Sequence, residues 1–111
     1  MEKTIRIGEE ELKVSSSLRT IIDYKNVFGR DLFADIDKLN GTGDGLSHMS
    51  DVISVMFQLV YIMHRPYTKK SYEEFMEGFD FSVISDEKTM KEITEVFSGL
   101  FQSDKNKKAN P

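Results

Sequence analysis

The 111-residue chain contains no cysteine. Disulfides and thiolate metal sites are therefore excluded. Histidine is scarce: there are two, His48 and His64. Both fall on one predicted helix, about 24 Å apart along its axis, so they cannot share a metal. Neither sits in a His-x-x-x-His or His-Glu-x-x-His pattern. They read as helix-end histidines.

Long apolar runs are also missing. The longest stretch, Val52 to Met63, is broken by Ser54 and Gln58. A bilayer span needs about 20 residues, so no membrane role is expected. The opening Met1-Glu2-Lys3-Thr4 leads into no apolar signal region. The expected location is the cytoplasm.

Positive charge is in deficit. The formal net charge is -4, which argues against the phosphate neutralisation that nucleic-acid binding requires. One local basic group stands out, because Arg65, Lys69 and Lys70 lie close together. In the last predicted helix, Lys88 and Lys91 are outweighed by Asp86, Glu87, Glu92 and Glu95.

Catalytic constellations are lacking too. No serine occupies a Gly-x-Ser-x-Gly elbow. Adjacent acids such as Glu73-Glu74 and Glu9-Glu10-Glu11 read as solvated. The glycine-rich stretch from Asn40 to Gly45 is followed by no Lys-Ser or Lys-Thr, so it is no phosphate loop. An EF-hand counted from Asp35 fails: its sixth position is Asn40 and its twelfth is Leu46. The stretch reads as a flexible connection. No catalytic, cofactor or metal-binding residue is identified, and no enzyme activity is expected.

What is present is an apolar fraction of 39% and a charged fraction of 31%, suited to one solvated globular domain. Ile5 and Ile7, then Leu12 and Val14, alternate with polar residues. Lys3 to Val14 is therefore predicted to be a hairpin, with Gly8-Glu9 as a type II′ turn. Ser15-Ser16-Ser17 offers N-cap hydroxyls for a helix from Leu18 to Phe28. Leu18, Ile21, Ile22, Lys25 and Phe28 are its expected inward face. Gly29 ends it, and Asp31 caps a shorter helix with Leu32, Phe33, Ile36 and Leu39 inward.

A central, nearly all-apolar helix is predicted from Ser47 or Ser50 to about His64, and Pro66 stops it. Its length favours helix over a buried strand. Ser71 and Glu74 form a candidate capping box for a helix reaching about Gly78. Phe79 to Ile84 is ambiguous between strand and helix. A last helix from Ser85 or Asp86 to Gln102 carries the stripe Met90, Ile93, Phe97, Leu100 and Phe101. The expected architecture is mainly α (α+β). An N-terminal β-hairpin packs on a small bundle of about four to five helices. Residues 1–102 form one domain, and 103–111 a disordered polar tail.

Five internal methionines, Met49, Met56, Met63, Met76 and Met90, either fill core gaps or supply an adaptable binding surface. Tyr61, Tyr67, Tyr72 and Phe75 around Pro66 either form an interface or anchor the turn. Phe97, Leu100 and Phe101 are the candidate partner-binding residues, since the tail is too polar to cover them. The alternative is that they close the core.

The hairpin, the helix Ser17-Leu18-Arg19-Thr20-Ile21-Ile22-Asp23-Tyr24-Lys25-Asn26-Val27-Phe28-Gly29-Arg30-Asp31, the central apolar helix and the Phe75-to-Phe81 segment together resemble a known family. They are similar to the tail assembly chaperones of siphoviruses and prophages of Gram-positive bacteria, over roughly residues 3 to 101. The resemblance implies a non-enzymatic protein of the bacterial host cytoplasm, absent from the finished virion. It implies two partners, the tape measure protein and the tail tube protein, the latter sometimes through a longer, frameshifted form. It further implies a homo-oligomer. The resemblance carries no cofactor and no specific contact motif. The alternative is a small cytoplasmic adaptor or regulatory protein acting through helix–helix contacts.

Overall fold

The computed structural model describes residues 2–39 and 45–101, with side chains placed at 2–39 and 49–99. The glycine-rich connection and the polar tail anticipated at 103–111 lie outside the described residues, apart from Gly45.

Strands β1 (Glu2–Ile7) and β2 (Glu10–Ser15) pair antiparallel, with Ile5 opposite Leu12 and Ile7 opposite Glu10. The two residues between them make the turn. Gly8 takes φ 63°, and no non-glycine residue among those described has positive φ. That excludes a type I′ turn, which needs positive φ at both positions, and fits the anticipated type II′. Period-two alternation puts Ile5, Ile7, Leu12 and Val14 on one face, and all four are buried.

That face rests on two helices: β2 on α3 (Gly45–His64), and β1 on α6 (Glu87–Phe101). Helix α3 is the hub. It also touches α1 (Arg19–Phe28), α2 (Leu32–Leu39) and α4 (Tyr72–Glu77). Its nearly all-round apolar character follows from this, because partners cover it on most sides. From Val55 to Met63 only Gln58 is not fully buried.

A 3-10 turn at Arg65–Tyr67 carries Pro66 and ends the hub helix. Ser71 and Glu74 then form the anticipated capping box: the Glu74 N–H donates to Ser71 Oγ, and the Ser71 N–H to Glu74 Oε1. The ambiguous Phe79-to-Ile84 segment is no strand; a one-turn helix, α5 (Ser82–Ser85), forms there. The molecule is thus mainly helical with an N-terminal hairpin, and one hydrophobic cluster joins hairpin and helices.

Two expected faces are corrected. On α1, Ile22 and the preceding N-cap residue Leu18 point outward, 59% and 82% exposed, and Lys25 is exposed. Thr20 and Tyr24 are buried instead, with Ile21, Val27 and Phe28 packed beside them. In α2, Leu32 is buried and Ile36 packs against the core, but Phe33 is half exposed and Asp35 is buried. The physical reason is a polar contact between these helices.

Candidate interaction surfaces

That contact is built from four side chains. The Arg30 guanidinium donates twice to the Asp35 carboxylate, Nε to Oδ2 and Nη2 to Oδ1, both at 2.7 Å. The Tyr24 hydroxyl lies 2.8 Å from Asp35 Oδ2 and 2.8 Å from Gln58 Oε1. It has one proton, which goes to the carboxylate as the stronger acceptor. Turning the Gln58 amide over lets its NH2 donate to the phenol oxygen.

The Arg30 guanidinium holds the Asp35 carboxyl below its ordinary range, against the opposing effect of burial. Burial and the neighbouring carboxylate push the Tyr24 phenol up. Asp35 is therefore a fully engaged carboxylate rather than a poised acid. The network fastens α1 and α2 to the hub helix.

His64 Nδ1 donates to the Lys13 carbonyl at 2.7 Å, and its ring lies against Phe75. The side chain of His48 lies outside the described residues. Among the described residues, no group of three or more His, Cys, Asp or Glu is placed to hold a metal ion. No helix there is long and apolar enough to cross a membrane.

Of the three candidate partner-binding residues, Phe97 is half-buried against the core. The side chains of Leu100 and Phe101 lie outside the described residues. The neighbouring face of α6 is core: Ile93 and Val96 are buried, and Met90 packs against them. Sequence reasoning did not single out the apolar surface on α1. There Leu18 and Ile22, four residues apart, form an exposed ridge on one side of the helix.

The aromatic group near Pro66 divides. Tyr72 and Phe75 each pack on Tyr61, with ring centroids 5.5 and 5.4 Å away, and they bind α4 to the hub. Tyr67 stays 41% exposed, with Lys13 Nζ 5.6 Å from its ring centroid. Beside this group lies an open cleft of about 670 Å³. Its walls come from α1, the end of the hub helix, the 3-10 turn and the start of α4. Arg65, Lys69 and Lys70, adjacent in the sequence, are joined there by Arg19 from α1.

No protein-family model, no curated protein and no solved structure matches the chain.

Proposed function

We propose that the chain is a non-catalytic assembly chaperone of a long-tailed bacteriophage that binds the tape measure protein. In this reading it works in the cytoplasm of the bacterial host. It helps recruit tail tube subunits, self-associates, and is absent from the finished virion. The observation that carries the reading is the outward ridge of Leu18 and Ile22. It lies on α1, within the segment that bears the family resemblance. Scattered exposed apolar residues are ordinary. Two at helical spacing on one edge offer a strip against which an apolar client helix can lie.

The test is co-expression with a helical segment of a tape measure protein encoded beside this chain. The chaperone reading expects the segment to remain soluble and to co-purify. The double variant Leu18→Asp with Ile22→Asp is expected to lose the segment while keeping its melting temperature. A segment that is insoluble with the native chain, or captured equally by the variant, overturns the reading.

A further inference from the structure

The cleft beside α4 carries a charge imbalance. Of its two carboxylates, Asp23 pairs with Arg19 at 3.5 Å, while Glu74 closes the capping box through the Ser71 N–H and keeps its charge. Arg65, Lys69 and Lys70 are exposed, and no ion pair among the described residues reaches them. With Arg19 paired to Asp23, Arg65, Lys69 and Lys70 face the one charge of Glu74, so the depression is net positive on a chain whose net charge is -4.

The depression is also built. The Tyr61 hydroxyl donates to the Lys70 carbonyl at 2.6 Å, and the Lys70 N–H donates to Thr68 Oγ1 at 3.2 Å. The backbone bearing the two lysines is thus held in place, which lowers the ordering cost of binding. Val27 and Tyr72, both partly exposed, supply apolar lining to the cleft.

We propose that this cleft is a docking site for a short acidic peptide segment of a partner protein. Acidic side chains would meet Arg65, Lys69 and Lys70, and an apolar side chain would lie against Tyr72 and Val27. A peptide fits better than a nucleic acid on two grounds. A phosphate backbone is a continuous line of charge, and the wall carboxylates Asp23 and Glu74 interrupt the cationic surface that it would need. The chain's overall negative charge repels a dense polyanion more than a peptide with spaced acids. The site uses none of the residues of the α1 ridge, so its test is independent of the chaperone reading.

The experiment is fluorescence anisotropy on the full chain. The probe is a labelled peptide of Asp and Glu carrying one Leu and one Phe. Saturable binding that weakens with added salt is expected. The triple variant Arg65→Gln, Lys69→Gln, Lys70→Gln should bind about tenfold more weakly, the sum expected of three exposed charge contacts. A charge-matched control, Lys3→Gln, Lys88→Gln, Lys91→Gln, should bind like the native chain. Circular dichroism establishes that both variants are folded. Equal loss in both variants would show a global charge effect and overturn the site. So would equal binding of a probe with lysine in place of every acid, or tighter binding of an oligothymidylate of the same charge. Undetectable binding of the acidic probe overturns it as well.

Discussion

The Gly8 N–H in the hairpin turn donates to the Thr89 hydroxyl at 2.9 Å, across 81 positions of sequence. The Thr89 hydroxyl in turn donates to Asp86 Oδ2 at 2.7 Å, and the other oxygen of Asp86 accepts from the Lys88 N–H. One buried threonine thus links the turn of the hairpin to the start of α6. Nearby, the Arg6 N–H donates to Glu92. Thr89→Val keeps the shape but leaves the Gly8 N–H without its acceptor. The expected cost is about 1–3 kcal/mol. Chemical denaturation measures it, and Thr89→Ser should recover most of the loss.

The Arg30–Asp35 contact predicts a pH dependence. Asp35 titrates below its ordinary value in the folded chain. Its contribution to stability is therefore complete above about pH 4, the unfolded value. It is lost as pH falls through the depressed folded value. Asp35→Asn removes the charge-assisted bonds, and at neutral pH it should destabilise the fold by about 1–3 kcal/mol. The larger penalty of a stranded buried charge does not apply, because the Arg30 side chain is 45% exposed and can turn to water. Denaturation midpoints from neutral to acid pH are expected to converge for the native chain and the variant. Curves that stay parallel would remove Asp35 from the acid response.

The capping box gives a local prediction. Ser71→Ala deletes the acceptor for the Glu74 N–H at the start of α4. The expected loss is about 1 kcal/mol. Glu74 still reaches the Ser71 N–H, so Ser71→Ala with Glu74→Ala should cost more than Ser71→Ala alone.

The hairpin, the hub helix and the capping box were legible because each rests on local chemistry. Alternation of Ile5 and Ile7, positive φ at Gly8, and the Ser71–Glu74 spacing need no knowledge of distant residues. The inward face of α1 was legible only at Ile21 and Phe28, because periodicity counts apolar residues and cannot foresee a buried polar partner. Tyr24 turns inward where Asp35 accepts from its hydroxyl and Gln58 meets the phenol oxygen, and this carries Leu18 and Ile22 outward. Asp35 itself reads as a surface acid until Arg30 is placed beside it. For the cleft, the proximity of Arg65, Lys69 and Lys70 was visible in the sequence. The arrival of Arg19 and the tyrosine lining was not, since it depends on how α1 crosses the end of the hub helix.

The rotated face of α1 can be tested against the hub. Periodicity alone places Leu18 and Ile22 in the core, where truncating such residues costs about 2–5 kcal/mol each. The fold places both at the surface, where Leu18→Ser and Ile22→Ser should each change stability by no more than about 0.5 kcal/mol. Phe57, 2% exposed on the hub helix and packed beside Phe79, is the internal reference. Phe57→Ala should cost about 3–5 kcal/mol, since it leaves a cavity that a helix covered on most sides cannot collapse to fill. Denaturation of the three variants under one set of conditions ranks them directly. A large loss at Ile22 would return the sequence-derived face to the core and remove the ridge proposed for the client. A small loss at Ile22 beside a large loss at Phe57 leaves that ridge exposed, and the Leu18 and Ile22 variants are then sound reagents for the client-binding test.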